Sequence, residues 1–251
     1  MPPFLSIVIP ALNEELRLPD TLHRMLDFLS QQPYDAEVLV VDNGSTDRTA
    51  ALAEEVATRH PQVRVLQDPR RGKGLAVRLG MLAARGEYRF MCDADLSVPI
   101  EELARFLPPA APAAEIVIAS REAPGAIRHG EPAYRHWIGR AFNLLVRLLA
   151  VPRFHDTQCG FKCFAAAAAE DLFRVQRLDG WTFDVEVLFI ALRRGYRVAE
   201  IPIPSYFKPG SRVNPLRDSA VMLTDLFRIR ANWWRGLYRA GRQATANAGR
   251  A

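Results

Sequence analysis

The chain has no stretch of about 18 residues free of charged side chains, so nothing in it reads as a bilayer-crossing helix. Its three cysteines, Cys92, Cys159 and Cys163, are odd in number and lack paired spacing. That argues against a disulfide framework or a four-ligand zinc site and leaves buried thiols. Gly72-x-Gly74 is not continued by a third small residue, because Val77 stands there, and no P-loop occurs; nicotinamide binding and ATP hydrolysis are not expected. Internal repeats are absent. Low complexity is confined to short Ala runs and to roughly the last ten residues, which are expected to be disordered. Met1-Pro2-Pro3-Phe4 leads straight into an apolar run, not a signal peptide, so a cytoplasmic location is expected.

What is present suffices for a sizeable core. The 251 residues are 49% apolar, enough for one domain with an appendage. Charge is uneven: residues 208–251 carry nine Lys/Arg and two Asp, a net of +7, which leaves 5 − 7 = −2 for residues 1–207. A basic tail on a slightly acidic body points to a polyanionic partner, either nucleic acid or an anionic membrane surface.

Continuous apolar runs alternate with helical spacing over the first 120 residues. Strands are expected at Leu5–Pro10, Glu37–Val41, Val63–Gln67, Tyr88–Cys92 and Ile116–Ser120, with helices over Arg17–Gln31, after Asp47 to about His60, and over Leu75–Arg85. This is the pattern of an α/β sheet with right-handed crossovers, which binds ligands beyond the carboxyl ends of its strands. Five polar clusters fall at those ends: Asn13-Glu14, Asp42 to Asp47, Arg70 to Gly74, Asp93 to Asp95, and Arg121. Beyond them, Trp137–Val151 reads as a helix with Ile138, Phe142, Leu145 and Leu149 on one stripe, suited to covering the core or touching a membrane. His155–Lys162 reads as a polar loop, Ala165–Phe173 and Gly180–Arg194 as helices, and Arg197–Ile203 as a strand. Pro215–Tyr238 places Leu216, Ala220, Leu223, Phe227, Trp234 and Tyr238 on one stripe among arginines, as a membrane-interface helix or one packed on the body.

Asp93-Ala94-Asp95 is the centre of the chemical reading. Two carboxylates one residue apart after a strand suit a divalent cation carrying a diphosphate, and equally a solvated turn or helix cap. Asp42 can hold a base or ribose, or cap the next helix. Arg70-Arg71-Gly72-Lys73-Gly74 suits phosphate, or a solvated basic loop. Asp184 and Glu186 can each be a general base or a cap for the helix beginning near Phe183. Lys208 and Arg212 flank Gly210-Ser211 and can hold an anionic acceptor or lie in solvent.

Eight stretches between residues 6 and 213 carry a resemblance: SIVIPALNEE (Ser6–Glu15), VVDNGSTDRT (Val40–Thr49), RRGKG (Arg70–Gly74), DADLSVP (Asp93–Pro99), SR (Ser120-Arg121), DTQCGFK (Asp156–Lys162), GWTFDVEVL (Gly180–Leu188) and KPGSRV (Lys208–Val213). In this order they resemble family 2 glycosyltransferases, most nearly the polyprenyl-phosphate hexosyltransferases of the dolichyl-phosphate β-glucosyltransferase kind. The resemblance implies a GT-A type fold, divided into a nucleotide-sugar half (1–121), an acceptor half (122–207) and a basic amphipathic tail (208–251). It implies donor contacts from Pro10, Asn13, Glu14, Asp42, Gly44, Arg71, Lys73, Gly74, Asp93 and Ala94, with Mg²⁺ or Mn²⁺ on Asp93 and Asp95. Asp95, Asp184 and Arg121 would be the catalytic residues, and Arg121, Lys208, Ser211 and Arg212 would face the acceptor phosphate.

The implied reaction is inverting transfer of glucose from UDP-glucose to a polyprenyl phosphate at the cytoplasmic face of a membrane, with no nucleic-acid partner. GDP-mannose as donor and a glycan or lipid hydroxyl as acceptor are the alternatives within the family. A sugar-phosphate nucleotidyltransferase shares the sheet but needs a Gly-rich loop where Pro10-Ala11-Leu12-Asn13-Glu14 stands. A non-catalytic membrane binder accounts only for the tail. Two departures stand out: Arg212 replaces the family's usual lysine, and the N-terminal anchor of eukaryotic members is not seen.

Overall fold

Apolar runs without alternation become strands covered on both faces, because each strand then buries side chains in two directions at once. The computed structural model describes residues 1–130, 139, 143–208 and 215–239, and for 215–220 the backbone alone. β1 (Leu5–Ala11), β2 (Ala36–Asp42), β3 (Val63–Gln67) and β4 (Tyr88–Cys92) are joined by α1 (Leu18–Ser30), α2 (Thr49–Arg59) and α3 (Lys73–Ala83). A 3₁₀ turn at Ile100–Phe106 leads to β5 (Ile116–Ser120) and β6 (Ile127–His129), and a helical run over 143–149 is α4. Then come β7 (Phe161–Ala165), α5 (Ala166–Val175), α6 (Phe183–Arg193), β8 (Val198–Pro202), β9 (Pro204–Tyr206) and α7 (Pro215–Trp234).

Seven strands form one sheet in the order β3-β2-β1-β4-β7-β5-β8. All run parallel except β7, which is inserted antiparallel between β4 and β5. β6 and β9 pair separately. The mostly parallel α/β architecture is the expected one. The expected polar loop at 155–162 is corrected at its end, where β7 begins. Lys162 interrupts the apolar run there, and only its tertiary partner makes it tolerable inside a sheet.

Alternation along β1 divides the core. Ile7 and Ile9 face α1 and the 3₁₀ turn with Val38, Val40 and Phe90, while Val8 faces α3 with Leu39 and Val41. At Gly80 of α3 an added Cβ would stand 2.3 Å from the Val8 Cγ1 atom, so the helix lies close against the sheet only because that position has no side chain.

α7 packs on the body through Met222, Asp225, Leu226 and Ile229, all buried. This corrects the expected stripe. Leu223, Phe227 and Trp234 of that stripe face solvent, Tyr238 lies beyond the helix and is buried, and the side chains of Leu216 and Ala220 lie outside the described residues. The packing face escaped the sequence reading because it contains an acid, Asp225, which accepts from the Thr182 hydroxyl at 2.9 Å. In α4 Val146 is buried and Leu149 of the expected stripe packs partly buried on the core; Leu145 of that stripe is exposed, and Ile138 and Phe142 lie outside the described residues.

The amino-terminal edge of the sheet carries a closed polar brace. Glu37 accepts from the Ser6 hydroxyl (2.7 Å), the Arg85 amide (2.7 Å), Arg64 (2.9 Å) and the Arg85 guanidinium (3.0 Å). Burial would raise its pKa, but these donors outweigh burial and hold it below the ordinary glutamate value. A depressed native pKa contributes stability that is present above the unfolded-state value, about 4.3, and is lost as pH falls through the native one. Glu37→Gln is therefore expected to lower unfolding free energy by about 2 kcal/mol at neutral pH. Urea denaturation at pH 7 and at about pH 3 checks this: the deficit should shrink in acid.

Candidate active site

The loops after β1 and β2 are stitched together by reciprocal bonds. The Asn13 amide donates to the Ser45 hydroxyl (2.7 Å), the Thr46 amide to Asn13 Oδ1 (2.7 Å), and the Glu14 amide to the Thr49 hydroxyl (2.7 Å). Asn13 adopts the left-handed conformation at φ 48° that lets it face both ways. Asp42 is buried at the end of β2 and accepts from the Ser45 amide at 3.1 Å, shaping its own loop. The start of α2 is served by Asp47, whose carboxylate accepts from the Thr49 amide and hydroxyl. Gly44, at φ 86°, brings this loop against the next, since a Cβ there would meet the Pro69 carbonyl at 2.8 Å. Pro10 is the penultimate residue of β1, beside Val41.

The basic cluster before α3 is divided among partners. Arg70 pairs with Asp68 at 2.6 Å, Arg71 is exposed, and Lys73 turns inward. Gly72 and Gly74 let the helix start dock on the 178–180 segment: Cβ atoms would lie 2.4 Å from the Asp179 carbonyl and 2.5 Å from that of Leu178. The Leu75 amide donates to the Asp179 carbonyl at 3.2 Å. One helix-start amide is thus taken by protein, where the sequence reading had it open to phosphate.

Asp93 and Asp95 stand half-buried where β4 ends. Lys73 Nζ lies 2.6 Å from Asp93 Oδ1, and Asp95 Oδ1 accepts from the Ser97 amide at 2.9 Å. Burial would lower the Lys73 pKa, but the charges of Asp93, Asp184 and Asp95 offset this and raise it. Ala94, between the acids, is buried, and its carbonyl accepts from Thr21 at 2.7 Å. Antiparallel pairing with β7 sets Gly160 beside Asp93: the Asp93 amide donates to the Gly160 carbonyl at 3.1 Å. A Cβ on residue 160 would stand 1.9 Å from Asp93 Oδ2. The carboxylate occupies the room that the missing side chain leaves.

Two carboxylates fit Mg²⁺ or Mn²⁺ carried in on a diphosphate, since such ions take one or two protein carboxylates and complete their shell from phosphate and water. Among the described residues no third acid, histidine or cysteine joins them. Phosphate and water would therefore supply the remaining oxygens.

Asp184 and Glu186 occupy the first turn of α6, but neither caps it. Asp184 is buried against Lys162, Nζ to Oδ1 2.5 Å; burial raises its pKa, and Lys162 and Lys73 pull against that rise. Glu186 is fully buried and accepts from the Arg177 amide (3.0 Å), the Leu178 amide (2.8 Å) and the Tyr238 hydroxyl (2.6 Å), so it serves as a brace. The base-or-cap alternative for this residue is thereby corrected.

Arg121 is held in a fork by buried Asp156, Nε to Oδ2 2.7 Å and Nη2 to Oδ1 3.1 Å. Burial would raise the Asp156 pKa, yet Arg121 keeps it far below the usual carboxylate range. Lys208 is exposed, and Ser211 and Arg212 lie outside the described residues. The structure thus gathers Asn13, Glu14, Asp42, Gly44, Lys73, Gly74, Asp93, Asp95 and Asp184 along one sheet edge. Asp156, Gly160, Lys162 and Trp181, whose ring lies 5.5 Å from the Lys73 ammonium, were given no role from sequence. Their signal lay in the stretches Asp156–Lys162 and Gly180–Leu188, which named a pattern without naming contacts.

Comparison with known proteins supplies a family and a fold. Residues 6–173 match the family described as Glycosyl transferase family 2. Similar proteins include dolichyl-phosphate beta-glucosyltransferases of Dictyostelium discoideum (31% identity over 94% of this chain and 76% of that one) and Saccharomyces cerevisiae (32%, 94% and 77%). That of Homo sapiens is 34% identical over 94% of this chain and 77% of its own. Among solved structures, glucosyl-3-phosphoglycerate synthase from Mycobacterium tuberculosis in complex with UDP superposes with TM-score 0.64 at 20% identity, covering 90% of this chain and 78% of that one. The same enzyme with Mn²⁺, UDP and glucosyl-3-phosphoglycerate gives 0.63 at 19%, covering 92% and 79%. The likeness to these structures is one of fold, and the sequence match supplies the lineage: on a GT-A type fold, with paired acids at the end of β4, this chain belongs to glycosyltransferase family 2.

Proposed function

We propose that the chain moves glucose from UDP-glucose to a polyprenyl phosphate, with inversion at the anomeric carbon. The observation that carries this is the meeting of Asp93, Asp95 and Lys73 at one strand end, in a chain whose relatives are dolichyl-phosphate beta-glucosyltransferases. Residues to 121 hold the donor and residues 122–207 receive the acceptor. Asp42 and the stitched loops around Asn13 and Gly44 take the nucleoside, and Arg71, Lys73 and Gly74 lie along the diphosphate. A Mg²⁺ or Mn²⁺ ion on Asp93 and Asp95 would supply charge neutralisation for the leaving diphosphate. Arg121, aimed by Asp156, with Lys208, Ser211 and Arg212, faces the acceptor phosphate.

In the step itself an acceptor phosphate oxygen forms a bond to the anomeric carbon while the bond from that carbon to the donor phosphate breaks. The nucleoside diphosphate leaves with the electron pair. A phosphate monoester is largely ionised at neutral pH, with a second pKa of about 6, so no side chain need remove a proton. Asp184, buried and paired with Lys162, fits that requirement poorly as a base and well as a charge held in place.

The acceptor's lipid calls for a membrane surface, and α4 and α7 offer one. Leu148 (70% exposed), Phe227 (58%) and Trp234 (74%) point outward, with Arg147, Arg228 and Arg235 exposed among them. The two helices adjoin, because Arg230 donates to the Leu149 carbonyl at 2.9 Å. Apolar side chains interleaved with arginines are the composition of an interfacial, anionic-lipid-binding face. No helix among the described residues is long and apolar enough to cross a membrane. Three buried free thiols, with Cys159 pushed up to about 12 by burial, suit the reducing cytoplasmic face.

Radiolabelled transfer to polyprenyl phosphate is the primary test: chelator-sensitive labelling from UDP-glucose is expected, and labelling from GDP-mannose alone would replace the donor. Gly160→Ala should displace the Asp93 carboxylate and lower metal-dependent transfer about tenfold or more, measured as kcat/KM across a Mn²⁺ titration. Flotation with anionic liposomes should be lost in Leu148→Glu/Phe227→Glu while calorimetric UDP-glucose binding is retained. Flotation unchanged in that variant removes α4 and α7 as the membrane face.

A further inference from the structure

Lys162 is a lysine in the interior of a sheet, fully buried as the second residue of β7, and its ammonium makes two short contacts. It donates to Asp184 Oδ1 at 2.5 Å and to the Cys159 carbonyl at 2.6 Å. A buried ion pair of this kind contributes little net stability compared with apolar side chains of similar volume, so fold stability alone is a weak reason to place one here. Each of its two contacts leads toward the same atom group. Cys159 precedes Gly160, whose bare α-carbon leaves the space filled by the Asp93 carboxylate and whose carbonyl accepts from the Asp93 amide. Asp184 holds the Lys162 ammonium, and its charge is also felt at Lys73, whose Nζ lies 2.6 Å from Asp93 Oδ1. One route runs through backbone, the other through alternating charges, and both begin at the Lys162 ammonium.

We propose that Lys162 and Asp184 are positioning residues of the donor site: together they seat Gly160 and aim Lys73, fixing the Asp93 carboxylate where a metal–diphosphate must meet it. The inference rests on the proposed donor reading and deepens it. With a donor-borne cation held by Asp93, the charge of Asp184 would keep the Lys73 ammonium beside the site to neutralise the diphosphate. Trp181, over which that ammonium also lies, closes the other side. Asp184 then acts through Lys73 and never accepts a proton from the acceptor.

The test uses the full chain with Asp184→Asn, Lys162→Met and the double variant, reading thermal midpoint, UDP-glucose affinity in Mn²⁺ by calorimetry, and kcat at saturating donor. Each single variant should weaken donor binding about tenfold or more and reduce kcat by less than that. The double variant, with no unpaired buried charge, should recover the thermal midpoint and leave donor binding weak. Recovery of both would make the pair purely structural and overturn the inference. Loss of kcat in Asp184→Asn with donor affinity unchanged would overturn it in favour of a general base. If the neutral variants do not fold, Lys162→Arg keeps the charge but cannot repeat both short contacts; weakened donor binding supports the inference and unchanged binding overturns it. A wild-type chain that binds no UDP-glucose overturns the donor reading and this inference with it.

Discussion

Asp93 can stand where it does because residue 160 has no side chain. Antiparallel β7 lies beside β4 in a register that pairs Cys92 with Phe161, so the next residue pair out is Asp93 and Gly160. In an all-parallel sheet of this kind the strand beside β4 would arrive at that edge by its carboxyl end and continue away from it. β7 instead begins at that edge, so the loop that delivers it, from His155 to Gly160, becomes a wall of the site. That loop is anchored by Asp156, which is bonded to Arg121, and by Glu200 of β8, which accepts from the His155 and Asp156 amides at 2.9 Å each. Edge-to-face packing of Phe161 on Phe90, centroids 4.5 Å apart, holds the register from the opposite face.

The two edges of the sheet use charge in opposite ways. At the amino-terminal edge Glu37 is surrounded by Ser6, Arg64 and Arg85, and every bond closes within the protein. At the carboxyl-terminal edge Asp93, Asp95 and Asp184 face Lys73 and Lys162. The excess of one negative charge suits a divalent cation entering with a diphosphate. Glu37 is buried among its partners, whereas Asp93 and Asp95 are half-buried and remain within reach of a ligand. The second arrangement is therefore the one to associate with binding.

Much of this was legible in the sequence because it is local. Val38–Val41 of β2 and Ile116–Ala119 of β5 are continuous apolar runs, β4 is one but for Arg89, and the acids after β4 follow directly. β7 was not legible: Phe161-Lys162-Cys163-Phe164-Ala165 is strand only if a lysine can be buried, and its partner Asp184 lies 22 residues on. The basic cluster was legible as composition but not as assignment, since nothing local says that Arg70 pairs with Asp68 while Lys73 goes to Asp93. The same holds for Glu186, whose position at a helix start suggested a cap or base until Tyr238, 52 residues away, supplied its partner.

α7 packs on the body and still leaves an exposed apolar face. A helix of 20 residues has room for a packing face and an outward face, and Asp225 decides which is which. A buried carboxylate must find donors; Arg228 supplies one from α7 itself, and Thr182, which lies outside the helix, supplies the one that fixes its rotation about its axis. With that rotation set, Phe227 and Trp234 have nowhere to point but away from the body. Thr182 is also the residue before α6, and Glu186, which receives the Tyr238 hydroxyl, is in its first turn. Asp184 sits between these two attachments. The helix that presents the exposed apolar side chains is therefore fastened to the same turn that carries Asp184, and the two share one structural element.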